Sequence, residues 1–551
     1  MDETASYPLI EPSNFDLIVV GTGLPESILA AAASAAGKSV LHLDPNPSYG
    51  SHYASFPLHE FISYIQSQSS SEPSIPQPDT DSGFTRVPLT TRPLYSSVEI
   101  TSYSSEPLEQ SRKFNIDLSG PRVLLCADAM INLLLKSEVN QYMEFKSIDG
   151  SFFYDGEGNL ENVPDSRSAI FMDRKLSFTE KTQLMGFFKL VQGHFEAAAA
   201  ADGGESKSIS EEELESPFVE FLSKMGLSSK LKSIILYAIA MADYDQENGD
   251  VCKSVLKTKD GIDRLALYHS SVGRFPNAPG AMIYPIYGQG ELPQAFCRRA
   301  AVKGCIYVLR MPVNSLLMDK ATGNYKGVRL ASEQELYSHK LILASSFVFQ
   351  LPRPHSSPDA QQNVYCDFGS KNTTEKLARS VCITKHSLKL DKANCLAFFP
   401  PRSLFPEQVT AIHVLQLSSN AAVCPSGMFL TYLSAICKDD VQGKKLLHAA
   451  INALFCIPVS GSSENDNSAE NQSETRDAKP ALLWSVLYIQ ELTKFQDVLD
   501  NIISASMPDA SPYYHDLLGA TEKIFEELYS GEVFFPKTAS LEEGAVEELE
   551  D

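Results

Sequence analysis

The segment FDLIVVGTGLPESILAAAASAAGKSVLHLD, residues 15 to 44, admits few folds. A short apolar run from Leu17 to Val20, a glycine turn, an alanine-rich helix, Gly37 as helix stop and a second strand ending at Asp44 make a βαβ unit. Parallel strands need such a crossover, so the segment predicts an α/β domain. A dinucleotide site on this unit has specific demands: one glycine for the tight turn, a second for approach of the pyrophosphate, a third for helix packing, and an acid about 20 residues later for the ribose. Gly21 and Gly23 meet the first two and Asp44 the last, but the third position is Glu26. A carboxylate there suits the positive end of the helix and opposes a phosphate by bulk and by charge. Bound cofactor is therefore not expected, and the motif Gly21, Gly23, Glu26, Asp44 reads as a retained turn.

At 551 residues the chain is too long for one core. With 43% hydrophobic and 21% charged residues it has the composition of a globular protein. A net charge of -23 argues against nucleic acid and anionic membrane as main partners, because both are polyanions. Much of the excess acid lies in SEEELE (210 to 215) and LEEGAVEELED at the C-terminus, which leaves a local basic patch open. Ten cysteines without a C-x-x-C pair suggest neither zinc nor a disulfide framework, and they fit a reducing compartment. The N-terminus has no basic and apolar leader pattern, so a cytoplasmic location is expected.

Three segments read as linkers: the Ser/Pro-rich stretch at 67–112, the stretch from Ala197 to Pro217, and 460–479, expected to be disordered. Residues 540–551 form an acidic tail. Between them, Leu184, Phe187, Phe188, Val191 and Phe195 fall at helical spacing, as do Leu231, Ile234, Ile235, Ala238 and Ile239. The expected architecture is a Rossmann-like sheet domain, residues 14–66 and 250–545, interrupted by a smaller all-helical domain at 120–249. A helix from about Leu292 to Lys303 and strands near 305–309, 313–318 and 326–330 are expected in the second part, followed by further apolar strands.

At GTGLPES, LHLDPNPSYGS, RKFNIDL, LLLKSEVNQYMEFK, YPIYGQGELPQAFCRRAAVKGCIYVLR and LLWSVLY the chain resembles the Rab escort proteins, within the larger family that also holds the Rab GDP-dissociation inhibitors. YGQGELPQ is the most specific of these strings. The resemblance implies a flavoprotein-like sheet domain without flavin and a non-catalytic role. It implies binding of newly made GDP-bound Rab GTPases, presentation to the α/β heterodimer of Rab geranylgeranyltransferase, shielding of the attached geranylgeranyl lipid, and transient membrane contact on delivery. A GDP-dissociation inhibitor is the nearest alternative, with the insertion after Tyr64 and the spellings GLPES and FNIDL favouring the escort branch. A flavin amine oxidase or monooxygenase shares the βαβ unit and is a further alternative.

Residue by residue, the resemblance places Rab binding at Tyr49, Arg274, Tyr287, Gln289 and Glu291. The plain alternative is that Tyr49 caps a turn, Arg274 is a solvated pair member and the glycine-rich loop is a sharp connection. Transferase docking falls to Phe187, with Phe188 as runner-up; adjacent helical residues point about 100° apart, so one of the two is expected at the surface. Candidates for the lipid groove are Leu134, Leu135, Leu231, Ile235, Ala238 and Ile239, although such a stripe equally serves a core. There is no G-x-x-x-x-G-K-[ST] and no H-E-x-x-H, and the 11 histidines have no metal-ligating spacing.

Overall fold

The computed structural model describes residues 7–69, 83–104, 108, 111–164, 167–199, 209–249, 252–352, 365–368, 375–458, 479–494, 496–499 and 501–536. The expected disordered segment 460–479 lies almost wholly outside them, and the acidic tail 540–551 entirely so.

The opening βαβ unit forms as expected. Strands Asn14–Val20 and Val40–Asp44 pair in parallel, Leu17 opposite Val40 and Val20 opposite Leu43. Ile306–Leu309 extends the parallel order on one side and Glu335–Leu343 on the other. The last strand serves two partners. Its first half pairs antiparallel with Tyr325–Leu330, and its second half pairs in parallel with Ile502–Ser504. Val313–Asp319 and Phe84–Pro88 complete this nine-stranded sheet together with Gln496–Leu499.

Helices Leu24–Ala35, Glu291–Val302 and His515–Leu528 share an apolar cluster with one face of the sheet: Ile28, Leu29, Leu292, Phe296, Leu518 and Phe525 are all buried in it. The alanine run at 30–33 lets the first of these helices lie close to the others, and all four alanines are fully buried.

A second sheet runs Leu160–Asn162, Gly150–Tyr154, Cys395–Phe399, Ile412–Ser418, Phe429–Cys437, Lys376–Thr384, Leu482–Glu491 and Tyr95–Ser102. Its pairs are antiparallel except for 150–154 beside 395–399. Helix Asp440–Leu454 covers one face, and Asp439 caps its start by accepting the Gln442 N–H at 2.8 Å. The helical unit covers the other face: Leu184, Phe187, Phe218, Phe221 and Leu231 join Ile383, Leu396, Phe398 and Trp484 in one core.

Three boundaries differ from expectation. The stretch 120–249, expected to be all helical, holds strands Leu124–Leu125, Phe145–Ser147, Gly150–Tyr154 and Leu160–Asn162 around helix Ala129–Lys136, and helices follow one another only from Arg167. The unit also keeps helix Thr258–Ser271, whose Ile262 and Leu265 pack in the same core, so the chain returns to the first domain later than residue 250. Within the supposed insertion 67–112, Phe84–Pro88 and Tyr95–Ser102 are edge strands, one on each sheet. Their half-exposed faces carry the Ser and Thr that made them look like linker.

Local chemistry sets the helix starts. Ser177 and Glu180 form a capping box: the Glu180 N–H donates to Ser177 Oγ at 3.2 Å and the Ser177 N–H to Glu180 Oε2 at 3.0 Å. Ser228 caps the helix Ser229–Ser233, and its hydroxyl donates to the other Glu180 oxygen at 3.0 Å, tying two helix starts together. That helix continues as a π-helix, Ile234–Ile239, with all six residues buried. The Ala240 N–H reaches the Ile235 carbonyl at 2.8 Å, and Arg264 takes the Ala240 carbonyl at 2.7 Å. Widened turns of this kind are rare and concentrate at functional sites.

Candidate functional site

The glycine turn keeps its backbone but not its opening. Gly21 has φ +106°, and an added Cβ there would stand 2.6 Å from Ala344 Cβ, so only glycine fits. Over Gly23, the space where a pyrophosphate would approach is filled by the Glu26 carboxyl, which folds back toward its own N–H. Glu26 is buried, and burial, reinforced by Asp44, raises its pKa to about 8. The side chain is therefore neutral at neutral pH. It fills the space over Gly23 by volume, and the charge repulsion expected from the sequence is absent because desolvation removes the charge.

Asp44 is equally committed. Its Oδ2 accepts the Thr22 N–H at 2.8 Å, the Thr22 hydroxyl at 2.7 Å and the Ser51 hydroxyl at 3.1 Å. Its Oδ1 accepts the Asn46 N–H at 2.8 Å and side-chain amide at 2.9 Å. Five donors leave nothing for a ribose. Beside it, His42 is held neutral by burial, its pKa lowered to about 4. Its Nε2–H donates to the Gly21 carbonyl at 2.6 Å, so Nδ1 accepts from Tyr307 OH at 2.6 Å. Asp44 and His42 are thus paired by the chain's own atoms, beside a cavity of about 500 Å³ lined by Gly21, Asp44, Tyr64 and Phe347.

A second buried network fixes the YGQGE loop. Asp117, the lone acid inside the apolar string FNIDL, accepts the Ser55 hydroxyl at 2.6 Å, the Tyr284 hydroxyl at 2.6 Å and the Gln289 N–H at 2.9 Å. Desolvation raises its pKa to about 6 despite these donors. Ser55 Oγ also accepts the Gly290 N–H at 2.8 Å. Gly288 takes φ +114° with Ser55 and Asp117 against its α-carbon, which excludes a side chain there. Gln289 donates to the Arg122 carbonyl at 2.8 Å and accepts from Tyr514 OH.

Two buried arginines then hold the segment before the last helix. Arg122 donates to the Tyr513 carbonyl at 2.9 Å and pairs with Asp509. Arg379 reaches Gln490 at 2.7 Å, the Ser119 carbonyl at 2.9 Å and the Asp509 carbonyl at 3.1 Å.

The expected Rab-binding residues separate on this frame. Tyr287 is exposed at positive φ, with its N–H on the Ala421 carbonyl at 3.0 Å. Glu291 is half-buried at the start of helix Glu291–Val302. Tyr49 is half-buried with its ring edge-on to Tyr307 at 6.1 Å. Ser55 brings the segment after Tyr49 against the loop of Tyr287 and Glu291.

Gln289 departs from expectation: it is buried and serves as the loop's internal brace, its amide bridging the Arg122 carbonyl and the Tyr514 hydroxyl. Arg274 is exposed but anchored elsewhere, on the Cys126 carbonyl at 2.8 Å and the Asn132 side chain at 3.2 Å.

On helix Phe178–Ala199, Phe187 is core and Phe188 is half-exposed, their rings 5.8 Å apart, so the surface position is the runner-up. The lipid-groove candidates Leu134, Leu231, Ile235, Ala238 and Ile239 are all buried against other side chains, and Leu135 alone is exposed. Helical spacing marked a buried face correctly but could not say what buries it.

The residues that hold the site together were mostly missed: Ser55, Tyr284, Arg122, Arg379 and Tyr514 carry no local signal. Asp117 had one, an acid within an apolar string, which burial makes costly unless it is paired.

Comparison with known proteins agrees with this frame. Residues 11–86 and 79–477 match the profile of the GDP dissociation inhibitor family. The chain is 54% identical to "Rab escort protein 1" of Arabidopsis thaliana, covering 100% of this chain and 99% of that one. It is 27% identical to "Rab proteins geranylgeranyltransferase component A 1" of Caenorhabditis elegans over 97% of this chain and 96% of the other. Among solved structures, a Rab GDI from Plasmodium falciparum superposes with a TM-score of 0.65 at 20% identity, covering 95% of this chain and 100% of that chain, which shows the fold. With its glycine turn occupied by Glu26 and its loop latched by Asp117, the chain belongs to the GDP dissociation inhibitor family, on the branch of the Rab escort proteins.

Proposed function

We propose that this protein binds newly made GDP-bound Rab GTPases, presents them to Rab geranylgeranyltransferase and carries the lipidated product toward membranes, itself catalysing nothing. The observation that carries this reading is end-to-end similarity to a Rab escort protein in a chain whose own Glu26 carboxyl lies over the second glycine of the turn.

Tyr49, Tyr287 and Glu291 lie on two segments joined through Ser55 and form the proposed Rab face, with Gln289 as its internal support. Exposed or half-buried tyrosines are common anchors at interfaces. The location is cytosolic, in keeping with ten cysteines that include no C-x-x-C pair.

The lipid has a physical need for shelter. At about 0.8 kcal/mol per buried CH₂, a chain of ~20 carbons is worth on the order of ten or more kcal/mol in water. The candidate residues are packed core in this structure, so lipid would enter only where helices part. The π-helix Ile234–Ile239, wholly apolar but for Tyr237, is the segment we assign to that opening.

Binding of GDP-loaded Rab to the purified protein, followed by fluorescence, tests the first step: saturable binding supports the reading, and its absence contradicts it. For the second step, Phe188→Ala should weaken pull-down of the transferase about tenfold or more, as truncating an interface anchor does. Rab binding should be unchanged. Equal loss of both would make Phe188 part of the domain's own packing.

A further inference from the structure

The net charge is -23, yet one face gathers cations around protruding apolar side chains. Where the helical unit begins, Phe171 is 66% exposed, Met172 73% and Phe178 86%. On the connection between strands Lys376–Thr384 and Cys395–Phe399, Leu390 is 71% exposed. A groove of about 550 Å³ joins the two regions, with Met172, Arg174 and Lys175 on one side and Lys389, Leu390 and Lys392 on the other.

The two acids that line this groove are engaged, while Asp391 stands exposed between Leu390 and Lys392. Asp173 accepts the backbone N–H of Lys175 at 2.7 Å and of Leu176 at 3.1 Å. Glu161 pairs with Lys175 at 3.2 Å and Lys230 at 2.7 Å. Lys389 lies over the Phe152 ring at 6.0 Å and Lys392 donates to the Asp149 carbonyl at 2.8 Å. Among the described residues, Arg174 and Lys389 form no ion pair.

We propose that this face docks on an anionic phospholipid membrane, the apolar tips entering the headgroup boundary and the cations meeting lipid phosphates. The inference deepens the carrier function proposed above and rests on it for its purpose, not for the contact itself. Charge complementarity selects the occupant. A protein of this net charge is repelled from an anionic leaflet in every orientation except one that leads with a local excess of cations. The apolar groups protrude, whereas anchors of a protein interface settle into pockets. Tips ringed by basic side chains match the pattern of interfacial membrane binding.

Flotation of the full chain with phosphatidylserine-containing vesicles, against pure phosphatidylcholine vesicles, tests it. The wild type should float with the anionic vesicles only. Phe171→Asp combined with Phe178→Asp should lower binding about tenfold or more, and Arg174→Glu combined with Lys389→Glu likewise, since each cation near such a surface is worth about fivefold. All four residues are exposed or half-exposed, so melting temperature should hold. Rab lipidation in vesicle-free solution should also stay at the wild-type level.

Wild-type protein indifferent to anionic vesicles, or variants that float as it does, would overturn the proposal. So would loss of transferase pull-down with vesicle binding intact, which would assign the face to a protein. Failure of the wild type to support lipidation would instead strike at the function and leave the vesicle result standing.

Discussion

Asp117→Ala is expected to lower the stability of the fold by about 3–5 kcal/mol, a large part of the ~5–15 kcal/mol that keeps a domain folded. The variant leaves the Ser55 hydroxyl, the Tyr284 hydroxyl and the Gln289 N–H without their acceptor in a fully buried place. Each such orphan costs ~1–3 kcal/mol, and relief of the carboxylate's own desolvation offsets part of the sum.

Asp117→Asn keeps the volume, still accepts from two donors and can donate to the Tyr284 oxygen, so it should cost only ~1–2 kcal/mol. Denaturant midpoints of the three proteins near neutral pH check this. An alanine variant as stable as the wild type would mean that the YGQGE loop is held by something other than Asp117. Because the loop carries Tyr287 and Glu291, Rab binding should fall with the alanine variant and survive in the asparagine one.

Glu26→Gln should stabilise the protein in alkaline solution and do nothing in acid. The folded pKa is about 8 against 4.5 unperturbed. The native state therefore holds a proton that the unfolded chain has released, and wild-type stability falls as pH climbs from 4.5 through about 8. Below 4.5 both states are protonated and no difference remains. The gap between 4.5 and about 8 corresponds to on the order of 5 kcal/mol at about pH 9.

Glutamine has the same shape and carries no charge, so the variant should lose this slope. Unfolding curves at about pH 5 and about pH 9 give the comparison. Parallel pH dependence in both proteins would show that Glu26 reaches solvent and that the cradle is open.

How far the fold could be read from the chain depended on how local its causes are. The βαβ unit, helix Glu291–Val302 and the strands after it declare themselves through apolar runs and glycine stops, and they stand where expected. The edge strands Phe84–Pro88 and Tyr95–Ser102 did not, because a strand wet on one face borrows a linker's composition. Ile234–Ile239 shows the limit of periodicity: its spacing fits an α-helix, but it is buried all round and winds as a π-helix.

At the site, Glu26 could be recognised as an obstruction from its position, whereas its lost charge could not, since that depends on burial by residues far along the chain. Gln289 looked like a surface group between two glycines. Its role is set by Tyr514, 225 residues away, which no local pattern records.

The most direct test combines GDP-bound Rab, the transferase heterodimer and a geranylgeranyl donor, with this protein added or omitted. Lipid transfer that depends on its presence, from a preparation without flavin absorbance, is the predicted result. Transfer that proceeds equally well without it would contradict the account.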